Sequence, residues 1–229
     1  MEIDIGKPIL DRNERMAAEN RDLFDLHGIY VLDLLASPGA GKTSTILATI
    51  AALRDRYRIA VIEGDIASNV DAEKIAAHGI PAVQINTGGA CHLESDMIRR
   101  AISALDDLDE LDLIIIENVG NLVCPTDFYL GENAKAMILS VPEGHDKPRK
   151  YPNIFALAKA VVLNKYDTVD MFDFDETEFR SSVRSLNPAA PVFPLSATRG
   201  DGVEAWIDWL IEQIEDARAT RAGREAGEL

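Results

Sequence analysis

The chain has 229 residues, room for one sizeable domain or two small ones, and its 47% hydrophobic and 27% charged residues exclude a disordered chain. A net charge of −16, from 39 acids against 23 bases, excludes nucleic-acid and membrane-phosphate surfaces as partners, so a polyanion is expected only as a small molecule held in a local site. No apolar run reaches bilayer length, Met1-Glu2-Ile3-Asp4 lacks the basic start of a signal peptide, and two cysteines make no disulfide framework; a cytoplasmic protein is expected.

Asp11 to Leu26 carries Met16, Leu23 and Phe24 at helical spacing, so residues 1–27 read as a helical extension packed on a main domain at 28–218. Ile29 to Leu35 is short, aliphatic and β-branched, as a buried strand is, and Thr43 to Leu53 has helical composition. Between them runs Ala36-Ser37-Pro38-Gly39-Ala40-Gly41-Lys42-Thr43-Ser44. This is a phosphate-binding loop of the pattern G-x-x-x-x-G-K-[ST], with Ala36 standing where the first glycine belongs. Glycines 39 and 41 let backbone N–H groups turn inward over the start of a helix, where they form an anion site. Lys42 is placed for the β- and γ-phosphates, and the Thr43 hydroxyl for Mg²⁺.

Downstream, apolar strands are predicted at Arg58–Asp65, Pro81–Ile85, Leu113–Ile116, Ala136–Val141, Ala160–Leu163 and Pro191–Leu195. Helical stretches lie at Asp71–Ala77, Ser95–Ala104, Glu176–Leu186 and Val203–Ala217, and the tail, residues 219–229, reads as disordered. Near-continuous apolar strands alternating with helices predict an α/β doubly wound, mostly parallel sheet flanked by helices. Ligands then collect at the carboxyl ends of the strands, which singles out Ser37–Thr43, Glu63–Asp65, Glu117–Gly120 and Asn164–Asp167.

Asn164-Lys165-Tyr166-Asp167 follows a strand downstream of the phosphate loop, the order of the guanine-recognition element N-K-x-D. The Asp167 carboxylate can accept from guanine N1–H and its 2-amino group, whereas adenine offers a lone pair at N1 and leaves the acid unsatisfied. The Lys165 stem can cover the base, Asn164 can tie this loop to the phosphate loop, and Ser196-Ala197-Thr198 can complete the base pocket. Asp65 and Glu117 end strands where a carboxylate reaches Mg²⁺, and Gly120 is placed to give an N–H to the γ-phosphate. Helix capping is the lesser alternative for both acids. No glutamine follows Gly120 to orient water, so slow GTP hydrolysis is expected. Cys91-His92 and Cys124 fall on loops at the same end of the sheet, a donor set suited to Zn²⁺ or Ni²⁺. By residue type alone, packed free thiols and a hydrogen-bonded histidine are the default reading of these three.

Taken together, Ala36–Thr43, Glu63-Gly64-Asp65, Cys91-His92-Leu93, Glu117–Pro125, Asp146-Lys147-Pro148, Lys150-Tyr151-Pro152 and Asn164–Asp167 resemble the hydrogenase nickel-incorporation GTPases, the HypB family. The segment Glu-Asn-Val-Gly-Asn-Leu-Val-Cys-Pro is the most specific carrier, and the likeness runs from about Leu10 to about Glu212. The resemblance implies a P-loop GTPase of the SIMIBI class that binds GTP or GDP with Mg²⁺ and dimerises with GTP bound. It implies Cys91, His92 and Cys124 as Ni²⁺ or Zn²⁺ ligands, and a HypA-like nickel-binding accessory protein and the [NiFe]-hydrogenase large-subunit precursor as partners. Some members carry an N-terminal cysteine motif or a histidine-rich segment; neither stands here, and histidines 27, 78, 92 and 145 form no tract. A related chaperone for urease or a cobalamin enzyme is the first alternative, although the Cys-Pro-His of the urease type is absent. A GTP-dependent regulatory switch with no metal role is the second.

Overall fold

The computed structural model describes residues 6–65 and 70–227; the first residues of the expected N-terminal extension and the last two of the tail lie outside the described residues. The strands are β1 (Tyr30–Ala36), β2 (Ile59–Asp65), β3 (Ala82–Asn86), β4 (Leu113–Glu117), β5 (Ala134–Ser140), β6 (Ala160–Asn164) and β7 (Val192–Pro194). They form one parallel sheet in the order β3-β2-β4-β1-β5-β6-β7. The order reverses at β1, whose neighbours are β4 and β5, and that switch point opens a crevice above the carboxyl end of β1. The central strands are buried throughout because helices cover both faces, while β3 and β7, at the edges, are half-buried.

The helices are α1 (Gly6–His27), α2 (Lys42–Leu53), α3 (Val70–Ala76), α4 (Ser95–Ile102), α5 (Lys147–Lys150), α6 (Pro152–Leu157), α7 (Glu176–Leu186) and α8 (Val203–Gly227). Period-two alternation divides β1 between the two faces of the sheet. Tyr30, Leu32 and Leu34 meet the side formed by α2 and α8, with Ile46, Ile50, Trp206 and Leu210. Val31 meets α1 and α4 through Phe24, Ile98 and Ile102, and Leu35 meets α6 and α7 through Phe155 and Phe179. The helix ends carry local signals: the Asp175 carboxylate caps α7 by accepting from the Glu178 N–H at 2.9 Å, and α6 opens on Pro152.

Three helices differ from the sequence reading. Residues from Ala219 do not begin a disordered tail: α8 continues to Gly227. Ala, Arg and Glu in this stretch are strong helix formers, Arg218 is ion-paired to Asp112, and Arg221 donates to the Leu26 carbonyl at 3.2 Å. The short helices α5 and α6 carry no periodicity long enough to be read in sequence. Among the described residues no helix is long and apolar enough to cross a membrane.

Candidate nucleotide and metal site

The loop from Ser37 to Gly41 leaves β1 and enters α2 at Lys42. Gly39 and Gly41 have φ of 78° and 99°, the left-handed region that the turn requires. Ala36 is the last residue of β1, buried and without a positive φ, so the missing glycine costs nothing there. A Cβ on Gly41 would meet Asn164 Nδ2 at 2.3 Å, a second reason for glycine at that point. Pro38 and Gly39 are exposed, Ala40 is buried, and Ser44 lies half-buried in the first turn of α2.

Asn164 and Lys165 converge on this loop. Asn164 Nδ2 donates to the Ala40 carbonyl at 2.9 Å while its Oδ1 accepts from the Ala197 N–H at 3.1 Å, so one side chain joins the phosphate loop, β6 and the Ser196-Ala197-Thr198 loop. Lys165, itself at φ 55°, donates from Nζ to the Gly39 carbonyl at 2.7 Å. Ser196 is buried and accepts from the N–H groups of Arg199 and Gly200 through its carbonyl, and Thr198 is exposed. Asp167 Oδ2 lies 3.1 Å from Arg199 Nε, a partner that the sequence pattern does not announce.

On the other side of the loop, Thr43 donates its hydroxyl to Glu117 Oε1 at 3.1 Å, and Lys42 Nζ stands 3.9 Å from the same oxygen. Lys42, Thr43 and Glu117 are thus one cluster, the cation and carboxylate nearly buried. Asp65 lies at the carboxyl end of β2, but the acid in register with Glu117 is Glu63, two residues earlier and equally buried. Sequence reading singled out the stretch Glu63–Asp65 but gave the metal role to Asp65, the acid at the strand end. The signal for Glu63 was the spacing, since residues 63 and 65 share one face. Gly120 packs on Pro38. A residue missed in sequence is Glu143, which accepts from the Ser37 hydroxyl and, through its other oxygen, from the Ser140 N–H and hydroxyl at 2.8 Å.

The adjacent Cys91 and His92 and the sequence-distant Cys124 bring their ligand atoms within 4.8 Å of one another. A single ion with bonds of about 2.0–2.3 Å to nitrogen and sulfur needs only a small contraction of that set. Both cysteines are free and half-buried, and Cys91 Sγ lies 3.6 Å from His92 Nδ1. The neighbouring Cys124 thiol, with burial adding, pushes Cys91 up from its ordinary value. Burial pushes His92 down against the pull of Glu94 and Asp127, which favours the neutral imidazole that binds metal. The Phe128 ring stacks on His92, centroids 3.8 Å apart, and fixes the plane of the imidazole.

A parallel sheet with a phosphate loop at its switch point, facing an Asn-Lys-x-Asp loop, defines a P-loop nucleotide-binding protein of the GTPase type. Residues 31–194 match the family model described as CobW/HypB/UreG, nucleotide-binding domain. The chain is 49% identical over 217 residues to the hydrogenase maturation factor HypB of Azotobacter vinelandii, covering 95% of this chain and 70% of that protein. It superposes on HypB from Helicobacter pylori, solved in complex with nickel, with a TM-score of 0.85 at 40% identity, covering 90% of this chain and 96% of that one. HypB from Archaeoglobus fulgidus gives a TM-score of 0.83 at 35% identity, with 89% and 99% covered. The chain belongs to the HypB family of hydrogenase maturation factors.

Proposed function

We propose that the chain is a slow GTPase that carries Ni²⁺, with Zn²⁺ as the competing ion, and assists nickel insertion into the large-subunit precursor of a [NiFe]-hydrogenase. The observation that carries this reading is one segment of chain: Glu117 meets Thr43 and Lys42 at the phosphate loop, and Cys124, seven residues on, meets Cys91 and His92. Nickel itself is supported by the nickel complex of the Helicobacter pylori relative, and the hydrogenase by the relatives' names.

In this reading Asp167 leaves Arg199 to accept from guanine N1–H and the 2-amino group, while Asn164, Lys165 and the Ser196-Ala197-Thr198 loop hold the base pocket closed on the phosphate loop. The N–H groups of Ser37 to Ser44 surround the phosphates, and Lys42 neutralises the β- and γ-oxygens. The meeting of the Thr43 hydroxyl with Glu117, with Glu63 in register on β2 and Asp65 at the end of that strand, suits an oxygen-seeking cation: these residues would hold Mg²⁺, which would supply charge neutralisation at the γ-phosphate. Gly120 gives its N–H to the γ-phosphate, and hydrolysis to GDP and phosphate releases it. Asn121 follows in place of a water-orienting glutamine, which makes turnover slow.

Cys91, His92 and Cys124 hold the transported ion as two thiolates and an imidazole, with a coordination position open for exchange. GTP-driven pairing of two chains completes the coordination, and a HypA-like nickel-binding protein supplies the ion; the whole cycle runs in the cytoplasm. The test is equilibrium Ni²⁺ binding with GDP and with a non-hydrolysable GTP analogue, alongside light scattering. One ion per site, an affinity that depends on the nucleotide and a mass that doubles with the analogue support the reading. Nucleotide-independent Ni²⁺ affinity by an unchanging monomer refutes it.

A further inference from the structure

On the face of the sheet opposite α2 and α8, β1 presents Val31, Asp33 and Leu35 in turn. Val31 belongs to the core under α1 and α4, and Leu35 to the core under α6 and α7. Between them Asp33, fully buried, faces the seam where the two cores part. The seam holds a closed polar network. Lys135 Nζ lies 2.7 Å from Asp33 Oδ2 and 3.0 Å from Glu132 Oε1, and donates to the Phe128 carbonyl at 3.0 Å. Burial works against the ammonium, yet the two acids hold its pKa above the ordinary lysine value. Asn118 Nδ2 donates to both Asp33 oxygens, at 3.1 and 3.3 Å. Because a carboxylate only accepts, the amide is oriented with Oδ1 outward, and it accepts from the N–H groups of Val119 at 2.9 Å and Leu93 at 3.3 Å.

Those two N–H groups belong to the two loops of the site. Leu93 directly follows Cys91-His92, and its side chain lies against Gly64, where a Cβ would stand 2.8 Å from Leu93 Cδ1. Val119 separates Asn118 from Gly120. The second arm of the network reaches the same place, since Phe128, held through its carbonyl by Lys135, stacks on His92. A displacement of Val119 and Gly120 must therefore draw Asn118 off Asp33 or carry Leu93 with it. Interior packing makes such a choice discrete rather than graded.

The geometry points to Asn118 as a positioning residue that fastens the Cys91-His92 loop and the Glu117–Cys124 segment to one buried anchor, the Asp33–Lys135 pair, so that metal affinity follows the bound nucleotide. This inference rests on the metallochaperone reading and supplies its coupling element. Asn118 touches neither ion nor nucleotide; it acts through Leu93 and Val119.

The experiment compares wild type with Asn118→Ala in the full chain, measuring Ni²⁺ affinity with GDP and with a non-hydrolysable GTP analogue, GDP affinity, and the melting transition. Wild type is expected to show a ratio between the two nucleotide states of about 5–150-fold. In Asn118→Ala the ratio falls toward one, while GDP affinity stays within about twofold of wild type and melting stays cooperative. A merely structural asparagine lowers the melting temperature and leaves the ratio intact, and that result overturns the inference. A wild type without any ratio overturns the metallochaperone reading as well, which keeps the two failures distinguishable. Should Asn118→Ala not fold, Asn118→Ser, too short to span Asp33 and Leu93, takes its place under the same criteria.

Discussion

Gly120 lies against Pro38 so closely that a Cβ on it would stand 2.9 Å from Pro38 Cγ and 3.0 Å from the Pro38 nitrogen. Its φ is not positive, so the glycine is required by proximity and not by backbone conformation. The segment leading to Cys124 is thereby pressed onto the phosphate loop with no side chain between them. Gly120→Ala is expected to push the segment away and lower the GTP hydrolysis rate by about a hundredfold, the scale of a 1 Å misplacement. Affinity for a GTP analogue should fall more than affinity for GDP, because only the γ-phosphate faces the moved backbone. Single-turnover hydrolysis and both affinities check this; wild-type rates in the variant would remove Gly120 from the mechanism.

Asp167→Asn replaces one of two acceptors with a donor at the base edge, which opposes the guanine 2-amino group and matches the 2-carbonyl of xanthine. The variant is expected to lose GTP affinity by about 10²-fold or more and to gain xanthosine triphosphate, on the scale set by a hydrogen-bonding site left unpaired. Competition binding with GTP, ATP and xanthosine triphosphate reads it directly. Equal wild-type affinity for ATP and GTP is the result against guanine recognition.

Lys42 stands beside Glu117 in a nearly dry cluster, so its charge is little screened. Lys42→Ala is expected to lower hydrolysis by at least about 10²–10³-fold, as for removal of a preorganised charge donor, and to weaken GTP and GDP binding together. Thr43→Ala should instead flatten the Mg²⁺ dependence of the rate. A Mg²⁺ titration of hydrolysis separates the two.

Cys124→Ala removes one of the three proposed ligands while leaving the guanine loop untouched. Ni²⁺ affinity is expected to fall by at least about tenfold, the lower scale for loss of even an outer partner of a metal ligand. GTP affinity should stay at the wild-type level, and the effect of nucleotide on metal binding should disappear. Isothermal titration with Ni²⁺ and Zn²⁺ in each nucleotide state tests this, and undiminished Ni²⁺ binding would assign the ion elsewhere.

Lys135→Met strands the buried Asp33 carboxylate, and removing one partner of a buried pair costs about 3–5 kcal/mol. The double variant Asp33→Asn with Lys135→Met should be less destabilised than the sum of the single ones, because residue 33 then carries no unpaired charge, while Glu132 loses the same cation in Lys135→Met and in the double variant. Urea unfolding of the four proteins measures the coupling; additive losses would show the pair to be independent.

Sequence alone determined the alternation of strands and helices, the phosphate loop and the Asn164–Asp167 element, since each is a local pattern whose chemistry lies within a few residues. Three things lay beyond it. The continuation of α8 to Gly227 depends on Arg218 and Arg221 docking on Asp112 and Leu26, contacts more than a hundred positions away. Glu63 was singled out in sequence together with Asp65, but only the register of β2 with β4 set it beside Glu117. Asp33, at the centre of β1, passed as one residue of an apolar run, and a charge in a buried strand does not say what neutralises it. Tertiary structure decided that by bringing Lys135, Glu132 and Asn118 to Asp33, and by closing Cys91, His92 and Cys124 into one cluster. The physical reason is range: periodicity and turn chemistry act between near neighbours, while the pairing of buried charges and the convergence of ligands are fixed only when the sheet has set which loops share an end.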